Sequence, residues 1–113
     1  MTMTENIQLP CHKLIAYEVA KELLVAVRET HVSDAGLRDQ ALRSAKSACL
    51  NTAEGAGRVT RADKARVFAI ARAEAVEAAA AVEIAALCGE ANNAEAVARI
   101  ADRLVGMLTR LIR

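Results

Sequence analysis

Aromatic side chains are nearly absent from this sequence. Tyr17 and Phe68 are the only two, and there is no tryptophan. Large rings therefore cannot fill a core, and the packed elements must approach each other closely over small side chains. Proline occurs once, at Pro10, and glycine only five times, so long runs of good helix formers stay uninterrupted. This composition fits only the all-α class.

Cysteine and long apolar runs are also scarce. Cys11, Cys49 and Cys88 are an odd set of thiols at wide spacing, and the first residues, Met-Thr-Met-Thr-Glu, resemble no signal peptide. Charged residues interrupt every apolar run well before the roughly 18 residues that a membrane span requires. We therefore expect a reduced, cytoplasmic protein with no membrane partner.

Signatures of metal binding and of nucleophilic catalysis are missing. Cys11 and His12 are adjacent and would point apart on a helix, and no Cys-x-x-Cys or His-Glu-x-x-His spacing occurs. Cys49 lies in an apolar helical context without a histidine nearby in sequence. Glu54 and Glu77 could act as an acid and base pair, but nothing indicates a pocket for them. We predict no metal, no cofactor and no enzymatic activity.

Helical periodicity is what the sequence does contain. We predict a flexible terminus over residues 1–9 and one domain over 10–113, which is an antiparallel up-and-down four-helix bundle. Helix 1 should run from Pro10 to Thr30, helix 2 from a cap at Ser33 or Asp34, helix 3 from Arg61 to Cys88, and helix 4 from Asn92 or Asn93 to the end. The expected inward seams are Ala16, Val19, Ala20, Leu23 and Val27; Ala41, Ala45, Ala48 and Thr52; Phe68, Ala71, Ala75, Ala78, Val82 and Ala85; and Val97, Ala101, Leu104, Leu108 and Leu111.

A stripe of polar residues runs along helix 2. The members Gln40, Ser44, Ser47, Asn51 and Glu54 follow a 4-3-4-3 spacing, which keeps them on one face. We expect the glycines that follow to end the helix through a left-handed residue. The stripe has two interpretations, a polar seam that fixes helix register or subunit pairing, and a ligand or partner site at the helix 2 end.

Charge is uneven along the chain although the formal net charge is only +1. Residues 38–72 hold eight Lys and Arg against three acids, whereas residues 73–102 hold one Arg against six acids. Glu74 and Glu77 have no basic residue one helical turn away, so a partner must come from another helix or another subunit, and Arg43 is a candidate. Opposite segments could pair with each other or leave a basic face for an acidic polymer.

The polar stretch and its surroundings resemble the bacterial four helix bundle protein family. That family includes proteins encoded within intervening sequences of large-subunit ribosomal RNA. The resemblance covers nearly the whole chain and implies an up-and-down bundle that assembles as a ring, a pentamer. A similar ring-forming relative is the accessory protein of diversity-generating retroelements, which is associated with nucleic acid and a reverse transcriptase. The residues that carry the resemblance are Gln40, Arg43, Ser47, Asn51, Glu54, Gly55, Gly57, Arg58, Phe68, Ala71, Arg72 and Glu77.

Two functional hypotheses remain. The first is a homo-oligomeric, RNA-binding accessory factor whose contacts are to phosphates, because aromatic side chains for base stacking are missing. The second is a protein-interaction scaffold that binds no nucleic acid. The candidate nucleic-acid-binding residues are Arg43, Lys46, Arg58, Arg61, Lys64, Arg66, Arg99, Arg103 and Arg110.

Overall fold

The computed structural model describes residues 7–113 and confirms the all-α four-helix fold. A 3-10 helix at Pro10–Lys13 precedes four α-helices, which are α1 Ile15–Glu29, α2 Ala35–Gly57, α3 Arg61–Leu87 and α4 Ala94–Ile112. The flexible terminus predicted for residues 1–9 lies outside the described residues except for residues 7–9, which are exposed and outside any helix.

The prediction of one continuous helix from Pro10 to Thr30 was wrong at its start. Leu14 has an extended backbone, with φ −105° and ψ 117°, and separates the 3-10 helix from α1. On an unbroken helix of 3.6 residues per turn, Leu14 would point away from the face that carries Val19 and Leu23. The break allows Leu14 to pack against the core, and Cys11 in the 3-10 helix is buried.

The sequence predicts the start of α2 correctly and the way it ends incorrectly. The Asp34 carboxylate accepts a hydrogen bond from the Leu37 backbone amide at 2.8 Å, which confirms one of the two predicted caps. Neither Gly55 nor Gly57 adopts the expected left-handed conformation, because the helix passes through both. Gly55 is needed for a close approach instead, since a Cβ there would lie 2.7 Å from the ring of Phe68 on α3.

The core confirms the predicted inward seams with one exception. Every seam residue from Ala16 to Leu108 is buried, and Val67 and Ala81 join the α3 seam. Leu111 is 37% exposed, because at the end of α4 it lines an open cleft with the 3-10 helix and the start of α1 rather than facing the bundle axis. Alanine dominates the contact of α3 with α2, which is the most extensive in the bundle.

The helices alternate in direction around one core. Each packs against the next in sequence, and α4 packs back on α1, so α1 and α3 lie diagonally opposite. One end of the bundle holds the α1–α2 and α3–α4 turns, where the Ser33 backbone amide donates to the Glu90 carbonyl at 2.9 Å. The other end gathers the starts of α1 and α3 with the ends of α2 and α4.

Within residues 7–113, no helix has both the length and the hydropathy that crossing a bilayer requires.

Candidate nucleic-acid interface

The polar stripe of α2 is anchored to α3 through Ser44. This side chain is 1% exposed, accepts a hydrogen bond from Gln40 Nε2 at 3.2 Å, and donates to Glu77 Oε2 at 3.0 Å. Glu77 is otherwise exposed. The partner of Glu77 within the chain is therefore this serine hydroxyl, and Arg43, which lies on the outer face of α2, forms no ion pair with it.

The middle of the stripe does not bridge helices. Asn51 Nδ2 donates to the carbonyl oxygen of Ser47 at 2.9 Å and to its Oγ at 3.0 Å, and both bonds lie within α2. Asn51 and Ser47 are half-buried. The polar stripe therefore joins α2 to α3 at Gln40 and Ser44, where Ser44 contacts Glu77. Farther along, Ser47 and Asn51 form their hydrogen bonds within α2.

Arg58 ties the end of α2 to the start of α3. Its guanidinium lies 3.4 Å from Glu54 Oε2 and 3.3 Å from Asp63 Oδ2, and Arg66 donates to the same Asp63 carboxylate at 2.8 Å. The hydrogen bond from Arg66, together with nearby Arg58, holds the pKa of Asp63 below its usual value. The Nε of Arg58 is buried without a partner among the described residues. Arg58 consequently has a structural task at this corner.

Other cations at the same corner contact backbone oxygens. Lys64 Nζ donates to the carbonyl of Ala56 at 2.8 Å, and Arg61 donates to the carbonyl of Arg113 at 2.5 Å. The Ala56 carbonyl lies in the last turn of α2 and carries only partial negative charge, so its contact orients Lys64 without cancelling the charge of the ammonium group.

Two further cations border a cleft beside this corner. Lys13 and Arg110 lie at the rim of a cleft of about 410 Å³ whose floor includes Leu14, Met107 and Leu111. Neither cation forms an ion pair within the described residues. Lys13 was missed in the sequence, because neither the 3-10 helix nor the break at residue 14 that places it beside this cleft was predicted.

The charges of the molecule are therefore polarised along the bundle. We call the α2–α3 corner and the adjoining ends of α1 and α4 the basic end. At the α2–α3 corner, the carboxylates of Glu54 and Asp63 are outnumbered by the cations Arg58, Arg61, Lys64 and Arg66. The cations of the basic end are Lys13, Arg58, Arg61, Lys64, Arg66 and Arg110.

The remaining candidate residues lie elsewhere. Arg99 forms an ion pair with Glu95 one turn before it, near the opposite end, and Arg103 reaches Glu22 on α1 at 3.2 Å. Arg43 and Lys46 are exposed on the outer face of α2 and form no ion pair within the described part of the chain. The candidate nucleic-acid-binding residues therefore lie on three different surfaces, which are the basic end, the part of α4 beyond that end, and the outer face of α2.

The Cys49 thiol on α2 is buried and hydrogen-bonded. Burial raises the pKa of the Cys49 thiol to about 11, and its Sγ donates to the Ala20 carbonyl at 3.1 Å, so the nucleophilic thiolate is disfavoured. Among residues 7–113, no group of three metal-ligating side chains comes together.

A comparison with protein-family models now adds an independent finding. Residues 12–110 match the family described as 23S rRNA-intervening sequence protein. The chain belongs to this family. The match includes all four helices and the whole polar stripe, so it confirms the resemblance derived from the sequence. A search of the curated proteins finds no match.

Proposed function

We propose that this member of the 23S rRNA-intervening sequence protein family is a non-enzymatic, homo-oligomeric accessory factor, a pentameric ring that binds RNA through its basic end. The observation that carries the proposal is the concentration of cations from several chain segments at that end. Among the described residues, Lys13, Lys64 and Arg110 there form no ion pair with a carboxylate. The cytoplasmic location belongs to the same proposal and suits the three free thiols.

The chemistry of this end favours phosphate contacts over base recognition. Phe68 is buried, so no exposed ring on α3 could stack on a base. Arg and Lys side chains bind phosphate oxygens regardless of sequence, and their affinity falls with salt because bound counterions are released. A single basic end would bind weakly. A ring would repeat it in every copy, and avidity would raise the overall affinity.

The family description supports this proposal without specifying it. It places the relatives of this chain in an RNA context, within intervening sequences of 23S ribosomal RNA. The description names no bound molecule, so the argument for RNA binding rests on the charge at the basic end.

The proposal assigns different tasks to the sequence candidates. Arg61, Lys64, Arg66 and Arg110 contact RNA, whereas Arg58 holds the α2–α3 corner together. Arg99 and Arg103 are engaged in ion pairs on the flank of the bundle. Arg43 and Lys46 lie away from the basic end and take part in assembly.

The experiment that tests the proposal is filter binding of a mixed RNA pool across a salt series. The double variant Arg61→Ala/Arg110→Ala should bind more weakly. Each lost phosphate contact should also lower the slope of log affinity against log salt by about 0.7 to 0.9. The matched control is Arg99→Ala/Arg103→Ala, which also removes two exposed arginines but from positions on α4 outside the basic end, and it should bind like the wild type.

Two outcomes would contradict the proposal. RNA that is not retained at any salt concentration would support the alternative, a protein-interaction scaffold without nucleic-acid binding. Equal losses in Arg61→Ala/Arg110→Ala and in Arg99→Ala/Arg103→Ala would show that overall charge, and not the basic end, governs binding. The scaffold alternative is supported by exposed apolar side chains such as Ile15 and Leu87. Binding of a protein partner to these side chains should respond little to salt.

A further inference from the structure

Helix α3 carries a second seam that faces away from the core. Its members recur with the 3-4-3-4-3 spacing of a coiled-coil seam, and all are exposed. Ile84 is 49% exposed and Leu87 is 81% exposed, although both are large apolar side chains. We call this surface the α3 outer stripe, and it consists of Ile70, Ala73, Glu77, Ala80, Ile84 and Leu87.

The α3 outer stripe has the composition of a helix-packing surface. Ala73 and Ala80 alternate with the larger residues, and small side chains allow another helix to approach closely. The central polar residue, Glu77, is already held by Ser44 at 3.0 Å, so its carboxylate is fixed in position with one oxygen engaged. A helix of 27 residues that presents such a seam to water exposes apolar area that a partner would bury.

A groove on a different face of the bundle has matching properties. It lies between α1 and α2, has a volume of about 300 Å³, and its apolar floor is formed by Leu24, Val25 and Leu42. Arg28 and Lys46 line the same groove. We call this surface the α1–α2 groove.

The two surfaces are complementary in charge as well as in polarity. Glu77 in the α3 outer stripe and Glu74 beside it form no ion pair within residues 7–113. The same is true of Arg28 and Lys46 at the α1–α2 groove. An apolar strip bordered by unpaired carboxylates therefore has its counterpart in an apolar groove bordered by unpaired cations. Charge complementarity of this kind selects the partner and fixes the register.

We infer that the α3 outer stripe of one copy packs into the α1–α2 groove of a second copy. This inference rests on the proposed function, because it names the surfaces through which the proposed oligomer assembles. The stripe and the groove belong to different faces, so the contact is head to tail and is incompatible with a two-fold dimer made from one self-complementary patch. A linear assembly joined in this way would have an unpaired α3 outer stripe at one end and an unpaired α1–α2 groove at the other. A closed ring pairs both surfaces in every copy.

Complementation between two variants of the full chain tests the inference. Ile84→Lys places a cation on the stripe against Arg28 and Lys46, and Val25→Glu places a carboxylate in the apolar floor of the groove. Both positions are about half exposed in the single chain, so the helices should form normally. Light scattering should give each variant alone the mass of one chain, 12.0 kDa. An equimolar mixture should recover at least twice that mass, because it contains an intact stripe and an intact groove.

The matched control is Val59→Glu. Val59 is 92% exposed in the turn between α2 and α3 and lies on neither surface, so its mass should equal that of the wild type. If circular dichroism shows that either charged variant has lost helicity, Ile84→Ala and Val25→Ala replace them, since alanine is the best helix former. Each should then lower the assembled mass at limiting concentration.

The outcomes separate this inference from the proposed function. If the wild type assembles and both surface variants keep its mass, the stripe and groove are not the interface, while oligomerisation stands. A mixture that stays at 12.0 kDa while each variant is also monomeric contradicts the head-to-tail contact. A monomeric wild type overturns the inference together with the ring. Loss of RNA retention by Lys46→Glu in that monomer would assign the groove cations to phosphate binding instead.

Discussion

Cys49 and Cys88 illustrate how surroundings decide the reactivity of a side chain. Cys49 is buried between α1 and α2 with a pKa raised to about 11, Cys11 is also buried, and Cys88 is exposed at the end of α3. Ellman's reagent should therefore modify one thiol per native chain rapidly and all three in denaturant. Cys88→Ser should abolish the rapid reaction. A rapid reaction that persists in Cys88→Ser would show that the core around Cys49 or Cys11 opens readily.

Single residues also show where sequence reasoning stops. The spacing of Ser44 and Gln40 places both on the polar face of α2, but it contains no information on which side chain of α3 will meet them. Glu77 was expected to need a cationic partner, and the structure supplies a serine hydroxyl. A partner of this kind depends on the offset between two antiparallel helices, which local spacing does not encode.

At the scale of the helix, Gly55 and Gly57 form a natural pair for comparison. Both are helical, yet a Cβ on Gly55 would meet the buried Phe68 ring at 2.7 Å, whereas a Cβ on Gly57 would meet nothing within 4 Å. Alanine is favoured over glycine in a helix by about 1 kcal/mol. Overpacking of a core costs about 1 to 3 kcal/mol. Gly55→Ala should therefore lower the free energy of unfolding, and Gly57→Ala should leave it unchanged or raise it.

Urea denaturation of the two glycine variants would measure this difference. The prediction fails if Gly55→Ala is as stable as Gly57→Ala, because the Phe68 ring would then be free to move aside.

The start of a helix was predictable where an N-cap residue marks it. Asp34 and Thr60 accept hydrogen bonds from the amides of Leu37 and Asp63 at the expected N-termini. The break at Leu14 was not predictable, because helical propensity continues through it and the packing of Leu14 against the core depends on the whole bundle. Tertiary packing overrides local preference at such positions.

At the scale of the whole molecule, the proposed assembly makes stability depend on concentration. We expect light scattering at micromolar concentration to give about 60 kDa, five times the 12.0 kDa of one chain. Because association stabilises only the folded chain, the Tm should rise as the protein concentration rises. A mass of one chain at every concentration, with full helicity and a constant Tm, would rule out the ring and the avidity that RNA binding would gain from it.

The arrangement of charge over the whole molecule was only partly visible in the sequence. The basic character of residues 38–72 could be counted, but the candidates Arg99 and Arg43 could not be told apart from Arg61 and Arg110. Their separation depends on the antiparallel order of the helices, which brings the end of α4 beside the start of α3 and sends the start of α4 to the other end.

The alanine core has a consequence for entropy. Eleven of the 23 buried hydrophobic residues in the described chain are alanines, and an alanine loses no side-chain rotamer freedom on folding. The core therefore buries modest apolar area while freezing few torsion angles. It also holds few alternative rotamer arrangements with which to absorb a shift of one helix against another. Along the α2–α3 contact, the backbones must keep their spacing or separate, since the side chains between them have almost nothing to rearrange.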